Sequence, residues 1–491
     1  MRKHLMKRLL ANPWLALAAG LLLRLFFVFR FPSDSGDTVL YEEIAANWLK
    51  HGAYAMRIGG QVIPVDLRMP GYPGFLAAIY ALSGHTGAAA RLWVFLAQVF
   101  VDLLSCLLIA ALAALLALLM PFRAHSRRIF VAALWLSVLC PFIANYTAVP
   151  LTEVFAAFLT AATLLALLAQ IGPACGGQIS LFQSEWAARN AESIFAVLAG
   201  FLTGLGTLFR PEAPLLLAES WIVLAFVLWR RRRWAFWVQL VVLSALGCFL
   251  PLAPWAARNA VTLHEAQFLT PRYSQLPGEI VPRGFIAWER TWLWRFRDVY
   301  LVSWKLEEEP IRMAEIPRAA FDTPEEKSRI AAALAIYNRT VNFTEEEDAV
   351  FAVVARERTA RHPLRTFVRI PLARAAAIWF TPRIELLPYS GKIFPLREAI
   401  AEDWIDFSVT AGFFLLNCFY VGLAAWGALR LWRGNAAARP AVALLAGYVL
   451  LRTAFLTTIE TPEPRYVVVC FPILLALGAQ LFARRQDSPA L

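Results

Sequence analysis

LWVFLAQVFVDLLSCLLIAALAALLALL, residues Leu92–Leu119, is longer than the roughly 20 apolar residues that carry a helix across about 30 Å of hydrocarbon. Phe407–Leu431 is a second run of that kind. Buried helices of soluble proteins are rarely so long. The whole chain of 491 residues is 59% apolar, with a mean hydropathy of +0.56, more than one soluble core of this length requires. These features predict an all-α polytopic membrane protein and exclude a soluble two-domain enzyme.

The net charge of +12 is read by position, because cytoplasmic flanks of spans collect Lys and Arg. The basic clusters stand at span ends: Arg2, Lys3, Lys7 and Arg8; Arg123, Arg127 and Arg128; Arg230 to Arg233; Arg430, Arg433 and Arg439; Arg484 and Arg485. All five are read as cytoplasmic, and no nucleic-acid partner is implied. Arg24 interrupts the first apolar stretch and no small-residue cleavage site precedes Phe31-Pro32, so this stretch reads as a retained span with a cytoplasmic N-terminus. Cys106, Cys140, Cys248, Cys418 and Cys470 lie singly in apolar runs and Cys175 in a polar loop, with no disulfide framework or zinc spacing.

Placing every basic cluster inside fixes the parity of the crossings. About ten spans are predicted, over 14–31, 91–119, 129–147, 153–170, 194–209, 213–229, 235–254, 405–431, 440–458 and 466–483. Two apolar stretches, Tyr72–Leu82 and Phe367–Phe380, are too short to cross. The second carries Arg365, Arg369 and Arg374 near one face and is expected to lie in the interface as a helix, residues 365–380, its arginines toward headgroups. The organisation predicted is an N-terminal transmembrane module (1–254) with an outward first loop (32–90), an extracytoplasmic loop domain (255–404), and C-terminal transmembrane helices (405–491). The loop domain contains two helix starts, Thr323-Pro324-Glu325-Glu326 and the capping box Thr344-Glu345-Glu346-Glu347. Its stretch Trp288–Arg295 reads as an aromatic membrane belt in preference to a sugar-stacking platform. No internal repeat is visible, which disfavours a transporter built from duplicated halves.

The first outer loop concentrates polar groups: Ser33-Asp34-Ser35-Gly36-Asp37-Thr38, then Tyr41, Ile44 and Trp48, then Arg68-Met69-Pro70-Gly71-Tyr72-Pro73. Asp37, Tyr41, Ile44 and Trp48 fall at helical spacing, so a short helix begins near Asp37. From spacing alone Asp37 is equally a helix N-cap or a general base that takes the proton of an acceptor hydroxyl as a sugar leaves a lipid phosphate. The departing phosphate needs cationic donors, and arginine's fork matches phosphate oxygens. Arg68, Arg210, Arg258 and Arg465 all stand at outer ends of spans; snorkelling to headgroups is the plain alternative for each. Glu153, at the outward turn after Thr152, either favours its helix N-terminus or faces Asp37 and binds acceptor or a metal.

These motifs resemble the polyprenyl-phosphate-sugar-dependent glycosyltransferases of the GT-C superfamily, which includes protein O-mannosyltransferases and aminoarabinose transferases acting on lipid A. The similarity lies in Gly36-Asp37 with Tyr41 and Ala45, in Gly52 and Tyr54, in Arg68–Pro73, Leu151-Thr152-Glu153 and Arg210-Pro211-Glu212, in Pro254-Trp255 with Arg258-Asn259, and in Arg465-Tyr466. It covers nearly the whole chain, with 270–360 matching only in general character. The resemblance implies a GT-C-like helical bundle with interfacial helices, Asp37 as catalytic carboxylate, and a lipid-linked donor. Asp34 or Glu153 would be the acceptor-binding or second carboxylate. Tyr41, Arg68, Tyr72, Arg210, Arg258, Arg465 and Tyr466 would bind donor phosphate or sugar. The protein mannosyltransferases are expected to carry Asp-Glu here, whereas Asp37 is followed by Thr38, which argues against protein O-mannosylation. The chemistry requires no metal; Asp34, Asp37 and Glu153 are hard oxygen ligands compatible with Mg²⁺ or Mn²⁺, but no ligand spacing demands one. The expected protein is an inverting transferase of a bacterial plasma membrane, using a polyprenyl-phosphate sugar and an acceptor the sequence does not name. The rival from another class is a carrier or flippase for a lipid-linked saccharide or small solute.

Overall fold

The computed structural model describes residues 11–118, 125–172, 185–273 and 280–483. Arg2, Lys3, Lys7, Arg8, Arg123, Cys175, Arg484 and Arg485 lie outside the described residues. Among the described residues the regular secondary structure is helical apart from one hairpin, and the chain is an integral membrane protein. Among the described residues seven helices are long and apolar enough to cross a bilayer: Pro13–Arg30 (α1), Gly87–Leu118, Glu153–Ile171, Trp234–Thr262, Trp404–Gly434, Ala436–Thr457 and Pro464–Phe482. An eighth is a broken pair, Ser126–Val138 and Pro141–Ala148, bent by 55°. Pro141 makes the break, since it drives Cys140 into an extended conformation.

The other two expected crossings, 194–209 and 213–229, do not meet that test of length and composition among the described residues. Leu215–Trp229 has 15 residues, about 22 Å of helix at 1.5 Å per residue, short of the hydrocarbon thickness. Glu185–Thr207 is long enough, but Glu185, Arg189 and Glu192 occupy the sequence of its first turns. Arg24, the charge that interrupts the first apolar stretch, is buried and neutralised: its Nε lies 2.6 Å from Asp102 Oδ2, and Nη1 donates to the Val138 carbonyl. A charge at this depth persists only when so paired.

The chain divides into two compact units: Met1–Pro271 with Pro382–Val449 and Val468–Leu491, and Arg272–Thr381 with Leu450–Val467. In the first, α1 is followed by two short helices, Gly36–His51 (α2) and Gly71–Ser83 (α3). Between them strands Ala55–Ile58 (β1) and Gln61–Pro64 (β2) pair antiparallel, Ala55 opposite Pro64. The turn residues Gly59 and Gly60 both have positive φ, as a two-residue hairpin requires.

The second unit has its own core, built by Phe285, Trp288, Trp292, Leu334, Tyr337 and Phe351. Both expected helix starts are present: Thr323 accepts from the Glu326 N–H at 3.2 Å, and Thr344 and Glu347 close a capping box. Two expectations are corrected. Trp288 and Trp292 are core residues, neither membrane belt nor sugar platform, because Trp288 packs on Phe351 and the two indoles pack on each other within one cluster. The helical segment Arg365–Trp379 does not turn its arginines toward headgroups as a set. Arg374 is buried, donating to the Leu293 carbonyl, and Arg365 makes two hydrogen bonds with Asp322.

Candidate functional site

The start of α2 is fixed before any chemistry is considered. Ser33 N–H donates to the Ala148 carbonyl, and Ser35, at the N-cap position, donates its N–H to Thr38 Oγ1 at 3.0 Å. The cap is therefore Ser35, which frees Asp37 from the role that spacing left open. Thr38 is fully buried, and its hydroxyl lies 3.4 Å from the Pro150 carbonyl. An acid in its place would be desolvated against that oxygen, a physical reason for the missing Asp-Glu pair.

Asp37 stands in the first turn, where the helix dipole favours a carboxylate. Its Oδ1 is 2.6 Å from Arg68 Nη2, and neither side chain is fully buried. Arg68 is itself aimed: its carbonyl accepts from the Tyr54 hydroxyl at 2.7 Å, and its Nη1 donates to the Leu67 carbonyl. Arg258 fastens the hairpin loop behind them, donating to the Tyr54 carbonyl at 2.7 Å and the Val65 carbonyl at 2.9 Å. In this arrangement its fork is engaged with backbone, beneath the rings of Tyr54 and Trp255.

Gly71 lets the loop close. Its N–H donates to the Leu208 carbonyl at 2.7 Å, and a Cβ at this position would lie 2.6 Å from that oxygen. The next residue, Tyr72, is wholly buried, and its hydroxyl donates to Gln98 Oε1 at 2.8 Å. Gln98 in turn donates to the Val149 carbonyl, so Tyr72 ties α3 to the segment preceding Glu153. The Tyr41 and Tyr72 rings meet edge to face with centroids 5.1 Å apart.

A second ion pair faces the same tyrosine. Arg210 Nη2 bonds Glu153 Oε1, and Glu212 lies 3.9 Å from the same guanidinium. Glu153 is buried, and its Oε2 has no hydrogen-bond partner in the structure. Thr152 stands at the N-cap position of that helix but makes no side-chain cap bond. Burial raises the pKa of the Tyr41 hydroxyl above its ordinary value; the Asp37 and Glu153 carboxylates add to the rise, while Arg68 and Arg210 oppose it. All four charges act on this one hydroxyl, so both ion pairs lie within electrostatic reach of Tyr41.

Asp34 takes a different direction: it is exposed and pairs with Arg91 at 3.2 Å, beside Glu42. Each candidate carboxylate thus has its own arginine, and among the described residues no three of His, Cys, Asp and Glu gather as metal ligands. Asp34, Asp37 and Glu153 do not form a donor set for Mg²⁺ or Mn²⁺. Arg465 and Tyr466 belong to the second unit, where both bond Glu463.

Three residues escaped the sequence. The Tyr146 hydroxyl donates to Glu385 Oε1 at 2.8 Å, and Tyr146 is within electrostatic reach of Glu153. Arg383, buried with φ at 55°, donates to Asn417 Oδ1 and lies 5.1 Å from the Phe471 ring centroid. A non-glycine residue in the left-handed region with a buried charge marks a constrained position. The available signal was a repeated pattern: Arg383-Ile384-Glu385 beside Pro382 echoes Arg210-Pro211-Glu212.

Beside the hairpin lies a cavity of about 550 Å³ lined by apolar groups including Trp48, Pro254 and Trp255, with Arg258 as its charged member. The site thus offers a partly exposed carboxylate with an arginine, a buried acid with one oxygen unbonded among the described residues, and an apolar recess.

No protein-family model matches the sequence, and no curated protein matches it. Among solved structures the chain is similar to an oligosaccharyltransferase of Archaeoglobus fulgidus tethered with an acceptor peptide. The identity is 15% and the TM-score 0.46, over 95% of this chain and 49% of that one. A structure of the oligosaccharyltransferase AglB from the same organism, with an inhibitory peptide and a dolichol-phosphate, matches at 13% and 0.44, over 95% and 50%. ArnT from Cupriavidus metallidurans bound to undecaprenyl phosphate matches at 14% and 0.39, over 95% and 77%. The chain spans about half the length of the oligosaccharyltransferases it matches. At TM-scores below 0.5 the functional reading rests on the chain's own residues.

Proposed function

We propose that the chain is a glycosyltransferase that moves a sugar from a polyprenyl-phosphate donor to an acceptor hydroxyl, with inversion, at the extracytoplasmic face of a bacterial plasma membrane. The observation that carries this reading is the Asp37–Arg68 pair in a half-open position, set by a capped helix and a braced hairpin. Asp37 accepts the acceptor's hydroxyl proton as that oxygen bonds to the sugar's anomeric carbon. The carbon–oxygen bond to phosphate breaks, and polyprenyl phosphate leaves with the electron pair. Arg68 orients Asp37 before the transfer and, being partly exposed, can turn toward the phosphate as its charge grows.

Glu153 Oε2 is an acceptor without a donor among the described residues and suits a hydroxyl of the sugar or acceptor. Arg210 holds Glu153 in place, and Tyr146 with Glu385 extends the polar wall. Arg258 positions the loop, and the recess beside it suits the apolar part of a lipid substrate. Arg465 and Tyr466 enter by the resemblance alone. Asp34 enters the acceptor role only if it leaves Arg91.

Mass spectrometry of lipid co-purified with the chain tests the donor class, with a polyprenyl-phospho-sugar as the expected species. That lipid is then supplied to the chain in liposomes. Release of free polyprenyl phosphate coupled to glycosylation of an added envelope extract supports transfer; movement of the lipid across the bilayer with no release makes the chain a carrier.

A further inference from the structure

Glu460, in the second unit, is held by a clamp that takes no part in the reaction proposed above. Arg290 donates to its Oε2 from Nε at 3.2 Å and from Nη2 at 3.0 Å, and the Tyr273 hydroxyl donates to Oε1 at 3.1 Å. Arg290 Nη2 also donates to the Tyr273 oxygen at 3.0 Å, which ties the two donors together. Arg272 Nη2 stands 3.7 Å from the same Oε2. All four residues belong to the compact unit of Arg272–Thr381 with Leu450–Val467.

The charges of this cluster do not balance. Arg374 is buried, and its charge interacts with those of Glu460, Glu289 and Arg290. Burial pushes the Glu289 carboxyl up to about 8, so at neutral pH it is largely protonated and contributes little negative charge. Arg272, Arg290 and Arg374 therefore face one charged carboxylate, Glu460, and most of their positive charge is left uncompensated.

A donor is unmet as well. Arg374 Nε donates to the Leu293 carbonyl and Nη1 lies 3.3 Å from the Thr457 carbonyl, while Nη2 is buried with no hydrogen-bond partner among the described residues. A buried charged donor left in this way is costly. The clamp itself can be reached from solvent, because the side chains of Arg290 and Arg272 are 37% and 54% exposed. One arginine suffices to neutralise one glutamate. A guanidinium fork beside a phenol hydroxyl and a second guanidinium is instead a donor set suited to an oxyanion of higher charge.

We propose that Arg272, Tyr273 and Arg290 form a binding site for a phosphate monoester, with Glu460 as the resident anion that competes for the same donors. A phosphomonoester carries about −1.5 to −2 at pH 7 and supplies the charge the cluster lacks, which a single carboxylate does not. The site stands apart from the Asp37–Arg68 chemistry, and a carrier could possess it equally.

Binding of radiolabelled inorganic phosphate to the full chain, in phosphatidylcholine nanodiscs and an amine buffer, tests the proposal. Glu460→Gln keeps the side chain's size and removes its charge. It should bind phosphate about tenfold more tightly than the wild type, the scale of a charged competitor withdrawn from its hydrogen bonds. Adding Arg290→Gln should abolish that gain, and adding Arg272→Gln, at a more exposed side chain, should reduce it. The decisive readout is a gain of affinity, which a misfolded variant does not imitate. Dioleoyl phosphatidic acid in the disc distinguishes the sources of the ligand: competition with the radiolabel assigns a lipid-borne phosphomonoester, and an unchanged isotherm a soluble one. No phosphate binding, equal affinity in the wild type and Glu460→Gln, or a gain that survives both arginine substitutions overturns the proposal and leaves the cluster a structural ion pair.

Discussion

Arg68 Nη2 lies 2.6 Å from Asp37 Oδ1 across a separation of 31 residues. The Tyr54 hydroxyl steadies the arginine's carbonyl, and Ser35 caps the helix that carries the acid. The pair is partly open to solvent, so its worth as a stabilising ion pair is small. Its significance is chemical: a charged acid oriented by a cation, in the loop where the resemblance places the reacting groups. Arg68→Met should lower kcat by about 10²-fold, the scale of one lost transition-state donor. Arg68→Lys should recover part of this by charge without the fork geometry. Steady-state turnover on the co-purified donor class checks both, and an Arg68→Met chain with unchanged kcat removes Arg68 from the site.

Gly71 makes a prediction about folding and not about chemistry. A Cβ there would stand 2.6 Å from the Leu208 carbonyl oxygen, a backbone atom that cannot swing away. Gly71→Ala should destabilise the chain by about 1–3 kcal/mol through local overpacking. Gly36→Ala is the control, because a Cβ at Gly36 meets nothing within 4 Å. Thermal unfolding in detergent should separate the two variants; coincident curves would mean that the loop closes differently.

Glu289 gives the second unit a dependence on pH. Burial pushes its carboxyl up from 4.5 to about 8, against a hydrogen bond from Ser303. The folded state therefore holds a proton that the unfolded state has released between those values, and stability falls as pH rises from about 4.5 to about 8. The groups facing Glu289 are Glu460, whose charge adds to the rise, and Arg374, which opposes it. The hydrogen-exchange protection factors of residues 283–361, with the intrinsic pH dependence of exchange divided out, should fall across this window, and Glu289→Gln should flatten the trend. A wild-type profile that stays level contradicts the assignment.

Much of the fold is written in the sequence because hydrocarbon thickness acts on one local property, run length. The short outer helices are also local: α2 announces itself by spacing and Gly71–Ser83 by a run too brief to cross. The Asp37–Arg68 site was accessible for a similar reason, since both residues lie in one loop. Tyr146, Arg383 and Glu385 were not, because their contacts join residues more than 200 positions apart in one case and no local period reports them. The arginines near Phe367 misled for a related reason. Their periodicity shows which residues share a face but not whether Asp322 or the Leu293 carbonyl waits on that side. Trp288 and Trp292 read as a belt because composition cannot distinguish an interfacial tryptophan from one enclosed by Phe351.

The most direct measurement is turnover by Asp37→Asn, which keeps the side chain's size and can still meet Arg68 through its amide oxygen while giving up the basic carboxylate. With the co-purified donor and its acceptor supplied, release of polyprenyl phosphate should drop by about 10²–10⁴-fold, the usual contribution of a general base. Expression, membrane insertion and donor binding should remain those of the wild type. An Asp37→Asn chain that turns over at the ordinary rate would show that Asp37 is not the base and would contradict the account at its centre.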